Sequence, residues 1–216
     1  IRDAVNLVEK NHGVKINFSD FTYDDPNIYK MFSKGETLGV FQFESAGMRQ
    51  FLKELKPTGF ENIIAANSLF RPGPMDQIPK YIRSKNDPSK IEYIHPKLKP
   101  ILDVTYGCIV YQEQVMQIVR DIGGYSMGRA DLVRRAMSKK KMDVMEEERK
   151  HFIYGKTGEN GEIEIKGAIR NGVDEKSANK IYDEMIDFAK YAFNKSHSAA
   201  YAMVAYRTAY LKYYYP

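Results

Sequence analysis

Apolar residues recur every three or four positions over most of the chain, a spacing that lines one face of an α-helix. The stretch 45–57 shows it most clearly, because Ser45 can cap a helix there and Pro57 can end it. Its buried stripe is predicted to be Met48, Phe51, Leu52 and Leu55. The pattern as a whole predicts a mainly α fold of about seven or eight helices with a few short strands.

Helical spacing continues through the second half of the chain. One helix is predicted to bury Val115, Ile118, Val119 and Ile122. A longer helix is predicted over 129–152, and Asp174 can cap the next one. The core face of that next helix is predicted to be Ala178, Ile181, Tyr182, Met185, Phe188, Ala189 and Ala192. The last helix should bury Ala199, Met203, Tyr206, Tyr210 and Tyr213.

Three segments break the helical pattern. In "RPGP", at 71–74, two prolines around Gly73 predict a fixed turn that displays Arg71. "TYGCIVYQ", at 105–112, is β-branched and aromatic enough for a short strand. Asn160-Gly161, followed by Ile163 and Ile165, predicts a surface β-hairpin near 155–168.

Composition narrows the setting of the protein. The 216 residues carry a formal net charge of +5, which is only weak support for a polyanionic partner. A single cysteine, Cys108, and four scattered histidines predict a reducing, cytoplasmic environment and no structural zinc. No apolar stretch approaches the ~20 residues that a membrane span needs. The chain opens inside an amphipathic run and stops while helical spacing continues, so we expect a piece of a longer protein.

The densest group of positive charges is "RRAMSKKK" at 134–141, which no acidic residue follows until Asp143. At about 100° per residue, these side chains cannot all share one helix face. A solvated helix face is the ordinary interpretation, but such faces usually interleave acids, so we favour contact with phosphates. The candidate residues are Arg134, Arg135, Lys139, Lys140 and Lys141.

A second candidate is "FNKSHSAAYAMVAY" at 193–206, where polar side chains lead into an alanine-rich helix. A helix N-terminus favours anions, because its first N–H groups and its dipole are positive. His197 and Tyr201 stand four residues apart and should share one face. An ordinary cap with a surface histidine and a phosphate site fit the spacing equally well. The candidate residues are Asn194, Lys195, Ser196, His197 and Tyr201.

Groups that could carry out catalysis are harder to find. No Ser-His-Asp or Cys-His arrangement is legible, and no carboxylate pair recommends itself for acid–base chemistry. Asp24 and Asp25, beside Pro26, are typical of a turn. Glu113 lies between two glutamines, where it could cap a helix or orient a neighbour. The sequence therefore predicts phosphate binding without a visible catalytic centre.

Several strings, in this order and spacing, resemble the bacterial replicative DNA polymerase III alpha subunit, a C-family DNA polymerase. They are "GVFQFESAGMRQFLKELKP", "RPGP", "HPKLKPILDVTYGCIVYQEQVMQI", "GYSMGRADLVRRAMSKKK" and "FAKYAFNKSHSAAYAMVAYRTAYLKYYYP". The resemblance runs from about residue 38 to 216 and is highly specific, because the strings are long. It implies that 1–37 are the end of the palm and a connector, and that 38–216 are a multi-helix fingers domain with the hairpin as an insertion.

The resemblance also implies an activity. Such a subunit is a DNA-directed DNA polymerase, a nucleotidyltransferase that uses Mg²⁺ held by palm aspartates. Those aspartates lie upstream in the family, so this fragment alone should be inactive. The implied partners are primer-template DNA, the incoming dNTP, the rest of the alpha subunit and replisome subunits such as the sliding clamp, with no membrane.

Site residues follow from the matched strings. The resemblance implies that the candidates of the basic block face triphosphate or nucleic-acid backbone, and that those at 194–201 line the nucleotide side of the nascent base pair. Arg71 is a further implied contact. A helical nucleic-acid-binding module without nucleotide selectivity is the alternative, since distributed lysine and arginine would suffice for it.

Overall fold

A computed structural model describes residues 1–139, 142–189 and 191–216. Within these ranges the protein is mainly α, as predicted. Its α-helices are α1 (Arg2–His12), α2 (Pro26–Ser33), α3 (Ala46–Leu55), α4 (Phe60–Leu69), α5 (Ile78–Asn86), α6 (Lys99–Leu102), α7 (Gln112–Asp121), α8 (Met127–Ser138), α9 (Met142–Tyr154), α10 (Glu175–Ala189) and α11 (Lys195–Tyr214). Two strands, β1 (Lys156–Thr157) and β2 (Ile163–Ile165), pair antiparallel.

The described helices outnumber the predicted seven or eight, because short proline-started elements escape a test of periodicity. Helix α2 begins at Pro26 after Asp25, whose carboxylate accepts a hydrogen bond from the backbone N–H of Asn27 at 2.9 Å. Helix α6 spans only one turn. The 3₁₀ turns are Phe18–Asp20, Pro74–Gln77, Pro88–Lys90, Pro96–Leu98 and Asp103–Thr105.

The chain forms two compact units. Unit 1 consists of Ile1–Phe70 and Ser196–Pro216, and unit 2 consists of Arg71–Lys195. In unit 2, α6 to α10 contribute to one apolar cluster. Every residue of the stripes predicted for α7 and α10 belongs to this cluster, together with residues of the neighbouring elements. The predicted stripe of α3 is likewise buried in unit 1. Helical periodicity identified these core faces correctly.

Of the predicted core face of α11 only Tyr206 is fully buried; Ala199, Met203 and Tyr210 are half-buried and Tyr213 is exposed. Its buried positions are Ser198, Ala202, Ala205, Tyr206, Ala209 and Leu211, whereas Tyr213 is 44% exposed. Three of these six buried positions are alanines, whose small side chains the hydrophobic pattern did not favour over tyrosine. Tyr206 accepts a hydrogen bond through its hydroxyl from the backbone N–H of Asp25 at 2.9 Å.

The single helix predicted over 129–152 is described as α8 and α9. Helix α8 ends at Ser138, whose hydroxyl lies 3.0 Å from the carbonyl oxygens of both Arg134 and Ala189. A serine hydroxyl that bonds to the backbone in this way competes with helix continuation. Lys139 follows with non-helical dihedrals, and Lys140 and Lys141 lie outside the described residues.

The strand predicted over 105–112 is also wrong. Tyr106 and Gly107 both have positive φ, at 53° and 80°, so the chain turns sharply there. What remains is one isolated parallel bridge between Tyr111 and Phe193. Such a bridge needs a partner distant in sequence, which local composition cannot reveal.

The hairpin prediction is confirmed. Lys156 pairs with Ile165 and Thr157 with Ile163 across the turn that contains Gly161. Ile165 is buried while Ile163 is 60% exposed; residues two apart on a strand share a face, so only the Ile165 end of that face is covered.

Candidate nucleotide and nucleic-acid interface

The basic helix α8 carries its own counter-ion. Asp131 accepts hydrogen bonds from Arg134, at 2.8 Å from Nη2, and forms an ion pair with Arg135, at 2.7 Å from Nε. The expectation that these arginines lack a compensating acid is therefore wrong, because the acid precedes them by one helical turn. The hydrogen bond from Arg134 is the main cause that holds the pKa of Asp131 below its usual range. The three side chains together carry one net positive charge.

The two arginines differ in exposure. The side chain of Arg135 is 62% exposed, whereas that of Arg134 is only 15% exposed. Lys139 is exposed just beyond the end of the helix. Cations at this end are also favoured by the helix dipole, so the block has a structural role besides any contact with phosphate.

Arg71 does not simply project from the "RPGP" turn. Its Nη2 donates a hydrogen bond to the carbonyl oxygen of Tyr191 at 2.8 Å, and its guanidinium lies 4.0 Å from the centre of the Phe193 ring. Partial burial lowers its pKa. The turn itself fits closely against the same segment, since a Cβ on Gly73 would lie 2.3 Å from the Tyr191 ring. Arg71 thus holds the segment that leads into α11.

The start of α7 holds that segment from a second element. The backbone N–H of Gln112 donates to the carbonyl oxygen of Phe193 at 3.0 Å, and the Gln112 side chain donates to Ala192 at the same distance. Lys195 places its ammonium 5.2 Å from the centre of the Tyr111 ring. Residues 191–195 are therefore fixed by two parts of unit 2.

Glu113 occupies the N-terminus of α11. Its two carboxylate oxygens each lie 3.1 Å from the backbone nitrogen of Lys195, and one accepts a hydrogen bond from Asn194 Nδ2 at 2.9 Å. The first N–H of the helix is thus bonded to a carboxylate of the protein. That N–H is therefore already bonded within the protein, so the predicted anion site at the start of α11 cannot use it.

Unit 1 contains the remaining candidates of the 194–201 group. The rings of His197 and Tyr201 stack with their centres 4.3 Å apart and their planes 29° apart. His197 and Ser196 are exposed and Tyr201 is half-buried. The predicted shared face is confirmed, and it offers a flat aromatic surface of the kind on which nucleobases stack.

Unit 2 therefore holds Asn194 and Lys195 on a segment that Arg71 contacts from the "RPGP" turn, while unit 1 pairs His197 with Tyr201. Sequence reasoning noticed Glu113 as a possible cap but could not name the helix it caps. It missed Tyr111, Gln112 and Phe193, because their contacts join segments about 80 residues apart.

The described residues offer neither a clustered metal site nor a membrane-spanning helix. Among them, no group of three or more His, Cys, Asp or Glu side chains could hold a metal ion. Of the helices that the structure describes, none is long and apolar enough to cross a bilayer.

These features define a helical domain that presents cations beside aromatic rings, a combination typical of proteins that bind nucleotides or nucleic acids. The profile of the bacterial DNA polymerase III alpha subunit finger domain matches residues 1–160. The chain belongs to this family, and the resemblance drawn from the sequence is confirmed. The match includes residues 1–37, and the boundary between palm and fingers near residue 37 stays a prediction.

Full-length relatives agree with this assignment. The chain is 47% identical over 213 residues to the DNA polymerase III subunit alpha of Halalkalibacterium halodurans, covering 99% of the chain and 18% of that protein. It is 44% identical over 216 residues to the Bacillus subtilis subunit, covering all of the chain and 18% of that protein. For the Staphylococcus aureus Mu50 subunit the identity is 46%, over all of the chain and 19% of that protein. The chain thus spans about a fifth of the length of these relatives.

Proposed function

We propose that this chain is the fingers part of a replicative DNA-directed DNA polymerase and binds the incoming dNTP and the primer-template during nucleotidyl transfer. Family membership and the match to alpha subunits over nearly the whole chain support the proposal. The observation that carries it is the start of α11, where Lys195 begins the helix and the His197–Tyr201 stack stands on its first two turns.

The side chains divide into roles by their chemistry. Tyr201 and His197 present rings to a base or sugar, and Lys195 supplies a point charge suited to phosphate. Arg135, the most exposed of the three arginines of α8, is suited to a nucleic-acid backbone. We assign the rest of the proposed contact surface to Arg71, Arg134, Lys139, Lys140, Lys141, Asn194 and Ser196.

The cofactor and the setting follow from the same proposal. We place the Mg²⁺ of the polymerase on palm aspartates outside this chain, as the resemblance to the alpha subunit implies. We place the protein in the cytoplasm, where the buried thiol of Cys108 suits a reducing environment. Its proposed partners there are the rest of the alpha subunit and replisome subunits such as the sliding clamp.

The test uses the intact alpha subunit with Lys195→Ala and, separately, Arg135→Ala. We expect Lys195→Ala to raise the KM for dNTP or to lower kcat, because it removes an interaction with the nucleotide. Arg135→Ala should weaken primer-template binding and reduce its dependence on salt concentration. Lys176→Ala, an exposed position in the first turn of α10, removes the same charge outside the proposed interface and is the matched control.

The outcomes separate the two function classes. A change confined to salt-sensitive DNA affinity in both variants, with the KM for dNTP unaltered, would favour a nucleic-acid-binding module without nucleotide selectivity. If Lys195→Ala and Arg135→Ala use dNTP and bind DNA as well as the Lys176→Ala control does, both function classes are refuted. For the isolated chain we expect no primer extension with Mg²⁺ and dNTPs.

A further inference from the structure

A third aromatic ring extends the His197–Tyr201 stack within unit 1. The ring of Phe41 lies with its centre 5.3 Å from that of Tyr201, at an interplanar angle of 48°. Phe41 is 37% exposed, although it is a large apolar residue. Three rings from two segments far apart in sequence therefore line one continuous strip of surface.

The loop that carries Phe41 is held firmly. Its neighbours Val40 and Phe43 are fully buried and anchor it from both sides. The backbone N–H of Phe41 donates to Thr208 Oγ1 at 3.1 Å, and Thr37 Oγ1 donates to the carbonyl oxygen of Phe43 at 2.6 Å. The backbone that carries the Phe41 ring is therefore held in place before any ligand arrives, which reduces the entropic cost of binding.

The loop also adopts an unfavourable backbone conformation. Gln42, directly after Phe41, has a φ of 66°, in a region that residues with a Cβ seldom occupy. Such conformations persist where the surroundings enforce them, and they cluster at binding sites. Leu38, in the same loop, is 57% exposed but has no ring that could stack on a base. Single exposed apolar residues of this kind are common on protein surfaces.

We propose that Phe41 is a nucleobase-stacking residue, the third ring of a Phe41–Tyr201–His197 strip that binds bases without regard to sequence. The inference rests on the proposed function and names a binding residue that neither the motifs nor the family match singles out. Every base has a π face, so a strip of rings tolerates all of them while phosphates are held elsewhere. The base could belong to the incoming nucleotide or to the primer-template.

The experiment compares Phe41→Ala, Phe41→Leu and Phe41→Tyr in the intact alpha subunit. Loss of one stacked base contact should weaken binding by about 5- to 150-fold. Phe41→Leu should show most of that loss, because it keeps apolar volume but has no ring, whereas Phe41→Tyr should stay within about twofold of wild type. Leu38→Ala is the control for a change of apolar surface in the same loop.

Two measurements identify the source of the base. If the KM for all four dNTPs rises while the Kd for primer-template is unchanged, the base is that of the incoming nucleotide. If the Kd rises instead, and an abasic site in the template removes the difference between Phe41→Ala and wild type, the base belongs to the template. Either result supports the proposal.

Tyr201→Ala distinguishes the failure of this inference from the failure of the proposed function. If Tyr201→Ala weakens binding while Phe41→Ala matches Leu38→Ala, the stacking role of Phe41 is refuted and the proposed function stands. If Phe41→Leu binds as well as wild type, the position requires only apolar packing and the inference is also refuted. If neither Tyr201→Ala nor Lys195→Ala affects nucleotide or DNA binding, the proposed function itself fails.

Discussion

The carboxylate of Glu113 is bonded to the backbone N–H of Lys195, a residue 82 positions further along the chain, with both oxygens at 3.1 Å. This pairing places a negative charge at the positive end of α11, where a helix is stabilised by one. It also determines where that helix begins. The candidate nucleotide contact Lys195 is thus set in place by a residue in the first turn of another helix.

Removing this carboxylate should loosen the start of α11. We expect Glu113→Ala to lower the free energy of unfolding by about 1 kcal/mol, the usual cost of losing a helix cap. Glu113→Gln keeps one carbonyl acceptor and should lose less. Urea denaturation measures both, with Glu159→Ala at the exposed tip of the hairpin as control. Equal stability of the two Glu113 variants and wild type would contradict the capping role.

Gly73 should be intolerant of a side chain. Its φ is 103°, and a Cβ would lie 2.3 Å from a ring carbon of Tyr191. We expect Gly73→Ala to cost about 1–3 kcal/mol through backbone strain and displacement of that ring. Thermal unfolding with calorimetry tests this directly.

Gly128 provides a control of opposite sign. It lies in the first turn of α8, and a Cβ there meets nothing within 4 Å. Gly128→Ala should therefore stabilise the protein by about 0.4–1 kcal/mol. If both glycine variants were destabilised alike, contact with Tyr191 would not explain the effect at Gly73.

Lysine should not be able to substitute for Arg71 in holding the 191–193 segment. Its guanidinium combines a hydrogen bond to the Tyr191 carbonyl with a position over the Phe193 ring, and an ammonium cannot reproduce both. We expect Arg71→Lys and Arg71→Ala to increase hydrogen exchange at the backbone amides of 191–193 to a similar degree. Protection at wild-type level in the lysine variant would show that charge alone is sufficient there.

The pairing of Asp131 with two arginines should make stability depend on pH. Because the pKa of Asp131 is lowered in the folded state, the pairing stabilises the fold above the ordinary aspartate pKa of about 3.9. That contribution is lost as the pH falls through the folded-state pKa. Asp131→Asn should cost less than about 1 kcal/mol at pH 7, since the pair is partly exposed, and the difference from wild type should vanish once the pH is low enough to protonate Asp131 in the folded state. Urea denaturation over a pH series measures this, and a difference independent of pH would exclude the charge as its cause.

The same substitution should strengthen nonspecific DNA binding. Asp131→Asn removes the negative charge beside Arg134 and Arg135, so the helix presents two uncompensated cations to a phosphate backbone. We expect a higher affinity at low salt and a slope of log K against log salt that is steeper by up to about one unit. An unchanged slope in the intact alpha subunit would show that α8 does not reach the DNA.

The sequence predicted the features that depend on residues close together in the chain, and it missed those that depend on distant segments. The stripes of α3, α7 and α10 depend only on local periodicity, and all of them are buried as expected. The pairing of Asp131 with Arg134 is also local and follows from their spacing. The face of α11 was missed because alanine and tyrosine are both compatible with a core, and only the neighbouring helices decide between them.

The candidate site was harder to predict from the sequence for the same reason. The aromatic and basic residues of 193–206 could be identified by type, but not the residues that hold them. Glu113, Gln112 and Arg71 reach this segment across roughly 80 to 120 residues of chain. No periodicity encodes such distances, and a turn such as "RPGP" shows its shape without showing what it packs against.

The division of the chain also determines the order in which its parts can fold. Unit 1 is made of two stretches with the whole of unit 2 between them, and the hydroxyls of Ser68 and Ser198 meet within it at 2.8 Å although 130 residues separate them. During synthesis the first stretch leaves the ribosome without α11, so its apolar surface stays uncovered until the second stretch emerges. Unit 2 is continuous and can fold while that happens. A released chain truncated after residue 195 should therefore carry a protease-resistant unit 2 beside a protease-sensitive N-terminal stretch.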